Sequence, residues 1–128
     1  MVNIVVMGHG GYAEGIKNNL RMLVGEPQHM YFLDLTQEDD LAVLERKLHD
    51  LLGTFGDGQV LFSCDLLGAS PFRVAAMVCM NNPGKYSVVT GINTMAYVEL
   101  GVPSELSLEE LTNRAVETTK NSVSKFPE

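Results

Sequence analysis

Four short apolar runs, each followed by a longer amphipathic stretch, limit what this chain can fold into. Asn3 to Met7 (Asn-Ile-Val-Val-Met) is nearly continuous in apolar residues, as in a strand buried on both faces. Tyr12 to Val24 comes next, with Ile16, Leu20, Leu23 and Val24 at helical spacing and Gly25 as its stop. Met30 to Leu35 reads as a second strand. Thr36 is positioned to cap a helix from Gln37 to Leu52, with Asp39 and Asp40 in its first turn and Leu41, Leu44, Leu48, Leu51 and Leu52 as its buried stripe. Gln59 to Ser63 is the third strand. Ser70-Pro71 then opens a helix over Phe72 to Met80, serine at the cap and proline in the first turn. Tyr86 to Thr90 is the fourth strand. Asn93 or Thr94 caps a short helix ending near Leu100, and Ser107 with Glu110 forms a capping box for a last helix over Leu108 to Val123. The order β-α-β-α-β-α-β-α-α predicts an α/β fold. Its core is a mainly parallel open sheet of four to five strands, with helices on both faces. At 128 residues, with no linker or repeat, the expectation is one domain over residues 1–128.

Charge narrows the partners. A formal net charge of −7 argues against nucleic acid, whose phosphates require a basic footprint. It suits a basic protein partner, because an acidic surface speeds that encounter. Cys64 and Cys79 match no metal spacing and read as small buried residues. The first residues lack the basic region of a signal peptide, and no apolar run reaches the roughly 20 residues that cross a bilayer. The expectation is a soluble, cytoplasmic protein that uses neither metal nor cofactor.

The chemistry centres on His9, framed by glycines in Gly8-His9-Gly10-Gly11 on the bend between the first strand and first helix. In open α/β sheets ligands collect at the carboxyl ends of strands. Histidine is the side chain best suited to exchanging protons or electrophiles near neutral pH. The loop after the third strand opens at the same edge and carries Asp65 and Ser70. If the first and third strands are neighbours, Asp65 accepts a hydrogen bond from one ring nitrogen of His9. That fixes the tautomer and frees the other nitrogen as a nucleophile. Helix N-termini after Gly11 and at Ser70 would aim amides at one spot, a ready anion site. Gly10 and Gly11 permit close backbone approach, and Ser70 offers a hydroxyl to a phosphate oxygen.

Three other readings compete. His9 can be an ordinary loop histidine, with Asp65 and Ser70 as caps. Gly8-His9-Gly10-Gly11-Tyr12-Ala13 also fits the dinucleotide pattern G-x-G-x-x-A, with Asp34 placed as the ribose-binding acid. Against it, the chain has room for little beyond one mononucleotide-binding half. Ser70, His9 and Asp65 are the residue types of a hydrolase triad, but no G-x-S-x-G elbow is present. His29 and His49 read as solvated. Met7, Met77, Met80 and Met95 read as core filler. Arg73, poorly placed for the helix dipole, is either a solvated surface residue or a contact for a phosphoryl group or acidic partner.

Three segments together are distinctive. They are the opening Ile4-Val5-Val6-Met7-Gly8-His9-Gly10-Gly11, the stretch Leu61-Phe62-Ser63-Cys64-Asp65-Leu66-Leu67-Gly68-Ala69-Ser70-Pro71-Phe72, and Thr90-Gly91-Ile92-Asn93-Thr94-Met95. In this order they resemble enzyme IIA of the mannose family in the bacterial phosphoenolpyruvate-dependent sugar phosphotransferase system. The likeness runs through the Ala115-Val116-Glu117-Thr118 helix and covers nearly the whole chain. It implies a phosphotransferase whose histidine, here His9, takes a phosphoryl group from HPr. The histidine passes the group to enzyme IIB, upstream of membrane subunits IIC and IID. It implies that Asp65 orients the imidazole and Ser70 contacts the phosphate. It also implies a homodimer that exchanges a C-terminal edge strand, although Pro127 disfavours a long strand there. Mannose-specific members carry Thr-Trp at Leu66-Leu67, and threonine and tryptophan at Gly8 and Gly11. The Gly-His-Gly-Gly form is similar to the N-acetylgalactosamine-type branch.

Overall fold

A computed structural model describes all 128 residues. The elements run β1 (Asn3–His9), α1 (Tyr12–Leu23), β2 (Met30–Leu35), α2 (Leu41–Gly53), β3 (Val60–Cys64), α3 (Ser70–Asn81), β4 (Tyr86–Thr90), α4 (Thr94–Leu100) and α5 (Leu108–Ser122). The four strands form one parallel sheet in the order β2-β1-β3-β4. β1 and β3 are therefore neighbours, the condition on which the His9–Asp65 pairing depended. The order changes direction between β2 and β3, both of which flank β1. Loops leaving β1 and β3 consequently head to opposite faces and leave a crevice at the carboxyl edge.

Alternation along β1 builds two cores. Ile4 and Val6 face a cluster shared with α1, α4 and α5, where Leu20, Ala96, Tyr97 and Leu111 pack. Val5 and Met7 face the other, where Leu44 and Leu48 of α2 meet Val74 and Ala75 of α3. A strand buried on both faces cannot show a polar alternation, so its apolar run is continuous.

Several boundaries differ from expectation, for local reasons. β1 continues two residues past Met7 because β2 still pairs there, Gly8 opposite Asp34 and His9 opposite Leu35. His9 is thus the last residue of a strand, not part of the bend. α2 starts at Leu41, capped by Asp40, whose Oδ1 accepts the Val43 amide at 3.0 Å. Thr36 is spent on a turn with Asp39: its amide donates to the Asp39 carboxylate at 3.3 Å, and its carbonyl accepts the Asp39 amide at 3.1 Å. α3 begins with Ser70 itself in the first turn and Ala69 at the cap, so Ser70 does not cap the helix. The Ser107–Glu110 capping box forms as expected.

Some apolar residues stay outside. Leu41, Leu23, Val24, Met77, Met80 and Met95 are exposed, and only Met7 of the four methionines expected in the core is buried. Cys64 is buried, but Cys79 is half-buried. No helix is long and apolar enough to cross a membrane.

Candidate functional site

Two strand ends carry the site. His9 closes β1, and Asp65 directly follows β3, its amide bonded to the Met7 carbonyl at 3.1 Å. Asp65 Oδ2 accepts twice from His9: from the backbone amide at 2.9 Å and from ring Nδ1 at 2.7 Å. The two residues lie 56 positions apart in sequence. A carboxylate only accepts, so Nδ1 must carry the proton and Nε2 keeps its lone pair. The imidazole side chain is 45% exposed and the aspartate side chain 15%. The carboxylate is therefore sheltered while the imidazole faces solvent. The second carboxylate oxygen, Oδ1, is buried without a protein donor.

The glycines shape the bend. Gly10 has φ +61°, a left-handed conformation that turns the chain directly after the histidine. Its amide donates to the Leu35 carbonyl at 2.9 Å, which pins the bend to the end of β2. At Gly8 a Cβ would lie 2.5 Å from Tyr12 Cδ2, so the absent side chain is what lets the tyrosine ring lie against the strand.

Asp34, the expected ribose acid of the dinucleotide reading, does something else. Its two oxygens accept the Ala13 amide at 2.8 Å and the Glu14 amide at 3.1 Å. It caps α1 from the neighbouring strand, supplying the side-chain cap that Gly11 lacks. Both its oxygens are occupied, and a phosphate finds two of the first α1 amides already taken. This removes the main support for a dinucleotide site.

The loop after β3 is built differently. Its amides at Leu66, Leu67, Gly68 and Ser70 have no protein acceptor, nor has that of Gly11 across the crevice. Ser70 is half-buried at the head of α3, and its hydroxyl makes no protein hydrogen bond. The structure thus joins His9 to Asp65 directly and leaves Ser70 at the same edge, hydrogen-bonded to neither. Gly68, with φ +84°, shapes the loop, and its carbonyl accepts Arg73 Nε at 2.9 Å. Arg73 is exposed, as the surface reading expects, and through Nε it also braces the loop.

Leu66 and Leu67, which follow Asp65 in the loop, are 61% and 71% exposed, an apolar rim. Phe72, in the first turn of α3, is half-buried and packs against the core. Of the remaining histidines, His49 is exposed as expected. His29 is half-buried, its Nε2 against the Leu100 carbonyl at 2.8 Å, which corrects the solvated reading. Burial pushes the Cys64 thiol up to about 12, with the Asp65 charge adding, so this neighbour of the site stays protonated. No group of three His, Cys, Asp or Glu side chains converges anywhere in the chain.

One cluster gives no signal in the sequence. Tyr12 Oη meets Tyr97 Oη at 2.5 Å, and Tyr97 Oη meets Ser63 Oγ at 2.7 Å. Its residues are scattered over three elements, and no spacing rule connects them.

Comparison with known proteins agrees with this architecture. Residues 3–118 match the EIIA-man family model, described as "PTS system fructose IIA component". The mannose-specific EIIAB component of the phosphotransferase system in Escherichia coli K12 is 30% identical over 125 residues, which is 95% of this chain. The chain spans 38% of that relative's length. The fructose-specific EIIA component of Bacillus subtilis is 24% identical over 115 residues, 88% of this chain and 78% of its own. Among solved structures, the mannose/sorbose specific IIA subunit of Enterococcus faecalis superposes with a TM-score of 0.90 at 28% identity. That superposition covers 99% of this chain and 96% of the other. The IIA protein associated with the fucose utilization operon of Streptococcus pneumoniae gives 0.81 at 28% identity, covering 98% and 96%. The strands, the His9–Asp65 edge and nearly all the helical frame lie within the matched region, and the chain belongs to the EIIA-man family of phosphotransferase-system IIA components.

Proposed function

We propose that this chain is a phosphoryl carrier in which His9 takes a phosphoryl group from the phosphohistidine of HPr and gives it to a histidine of enzyme IIB. One observation carries the assignment of roles: Nδ1 of His9 is bound to Asp65 at 2.7 Å, which leaves Nε2 as the attacking lone pair. Nε2 attacks phosphorus, the N–P bond of the donor breaks, and its electron pair returns to the donor imidazole. The acceptor ring becomes cationic as the bond forms. Asp65 offsets that charge and holds the ring plane. The reverse sequence discharges the group to the next protein.

The phosphoryl oxygens sit over the loop after β3. The free amides of Leu67, Gly68 and Ser70, the Ser70 hydroxyl and the Gly11 amide supply donors, and the α3 N-terminus adds its dipole. Gly10 contributes conformation, since its amide is already bonded. These are neutral donors, which suits a carrier. A site that gripped the phosphate too tightly would slow its release. Leu66 and Leu67 form the apolar rim on which both partners dock in turn, and the net charge of −7 favours a basic donor.

Residues 1–128 act as one IIA domain, working in the cytoplasm beside HPr and upstream of IIB, IIC and IID. The protein works as a homodimer. β4 is an edge strand with its outer side unpaired, and the residues after Ser122 form no strand within the subunit, so this edge suits pairing with a second copy. The relatives are named for mannose, fructose, mannose/sorbose and fucose, which agrees with sugar choice lying in the membrane subunits.

The test is phosphotransfer from labelled phosphoenolpyruvate through enzyme I and HPr. Wild type acquires acid-labile, base-stable label and His9→Ala acquires none. Label on His9→Ala, or none on wild type with a competent donor set, contradicts the proposal.

A further inference from the structure

We propose that Tyr12 is a positioning residue for His9: its ring, seated on Gly8 and tethered through Tyr97 to Ser63, sets the angle at which the imidazole meets Asp65. The kinetic part of this inference rests on the carrier function above, whereas the geometric part does not.

The need for such a residue arises from the site. The carboxylate of Asp65 is engaged by one oxygen only and bonds nothing except His9, so no other hydrogen bond fixes the group against which the ring is set. The chain after His9 is Gly10-Gly11, a pair with no side chain to pack, held only by the Gly10 amide on the Leu35 carbonyl. Rigidity has to be imported from the start of α1, where Tyr12 is the first side chain after the pair. Its ring lies against the Cα of Gly8, the residue before the histidine, at a separation no Cβ would permit. Tyr12 therefore touches the strand at the residue before the histidine.

The hydroxyl anchors that ring. Tyr97 is 1% exposed and Ser63 is fully buried, so each hydroxyl needs a partner inside the protein. Tyr97 Oη has one proton to donate and accepts as well. It is satisfied by Ser63 at 2.7 Å on one side and Tyr12 at 2.5 Å on the other. Ser63 stands on β3 two residues before Asp65, opposite Val6 of β1. The connection Gly8–Tyr12–Tyr97–Ser63 thus bridges the two strands that carry His9 and Asp65. The bridge lies on the side of the sheet where α1 and α4 pack. Burial keeps both tyrosines protonated, and the Asp65 charge reinforces this at Tyr12, placing carboxylate and hydroxyl in one electrostatic neighbourhood.

The experiment reads the imidazole directly. Ring 15N chemical shifts of His9 at alkaline pH, where the ring is neutral, give the tautomer ratio for wild type, Tyr12→Phe and Ser63→Ala. Wild type shows essentially one tautomer, protonated at Nδ1. Tyr12→Phe keeps the ring but loses the tether, and shows a mixture. It also lowers kcat for phosphoryl acceptance from phospho-HPr about tenfold with KM unchanged, as expected of a misaimed nucleophile on an intact docking surface. Ser63→Ala, which cuts the chain at its far end, shifts the tautomer ratio in the same direction by less. A Tyr12→Phe protein with the wild-type tautomer ratio overturns the proposal, whatever its melting temperature, because a plain packing role lowers stability without touching the ring. If wild type accepts no phosphoryl group the carrier function fails, and the tautomer ratio still decides the role of Tyr12.

Discussion

The two loops that meet at the carboxyl edge of the sheet are built on opposite principles. Between β1 and α1 most amides are engaged, Gly11 and Tyr12 excepted: the His9 amide by Asp65, the Gly10 amide by Leu35, and the Ala13 and Glu14 amides by Asp34. Between β3 and α3 the amides of Leu66, Leu67, Gly68 and Ser70 are open, and two leucines face solvent. One loop holds His9, the proposed nucleophile, still; the other leaves its donors free. The proposed carrier, which would accept and release the same group, needs both, because orientation has to persist while the phosphate contacts come and go. The glycines of the first loop therefore serve shape more than phosphate binding.

The contrast can be broken most forcefully at the joint between the loops. Asp65→Asn keeps the shape but removes the charge that selects the Nδ1–H tautomer. We expect phosphoryl acceptance to fall about 100-fold or more, measured by rapid-quench transfer from phospho-HPr. A loss of less than threefold would mean that Asp65 only packs. In the open loop, Ser70→Ala removes a donor that has no protein partner. It should slow transfer about tenfold yet move stability by less than about 0.5 kcal/mol in urea titration. Asp34→Ala reverses that signature, since its carboxylate holds α1 and touches no ligand. It should cost about 1 kcal/mol of stability, a fall of several degrees in Tm, with a smaller kinetic effect than Ser70→Ala. If Asp34→Ala impairs transfer more than Ser70→Ala at equal stability, the division of labour between the loops is wrong.

The smallest effect is expected from Cys64, buried behind the joint. Its thiol is raised from an ordinary 9.0 to about 12, so the native state keeps a proton that the unfolded chain releases. That contribution to stability is complete below about 9 and is lost as the pH climbs toward 12. Cys64→Ala should flatten the alkaline limb of the stability curve, and the native thiol should resist alkylation at neutral pH. Rapid alkylation of native Cys64 would show that the joint opens to solvent.

Much of this edge was legible in the chain because local rules govern it. The continuous apolar run of β1 announces a doubly covered strand, and the capping box at Ser107 and Glu110 is complete within four residues. The pairing of His9 with Asp65 required one further inference, that β1 and β3 lie side by side. What escaped depends on tertiary placement. Asp34 reaches α1 only because parallel pairing sets it opposite Gly8, and in sequence it passes equally well for a ribose ligand. Thr36 and Asp40 are both acceptable caps, and the choice fell to the turn that Thr36 makes with Asp39. The tether of Tyr12, Tyr97 and Ser63 unites a helix start, a second helix and a strand, three places that no periodicity relates.

The central claim is that Asp65 occupies one ring nitrogen of His9 and leaves the other for phosphorus. The most direct measurement is 31P and 15N NMR of the phosphorylated, uniformly 15N-labelled protein, which identifies the nitrogen bonded to phosphorus. The geometry predicts a phosphoryl group on Nε2 of His9, with Nδ1 still protonated and hydrogen-bonded. A phosphoryl group on Nδ1, or on any residue other than His9, would contradict it.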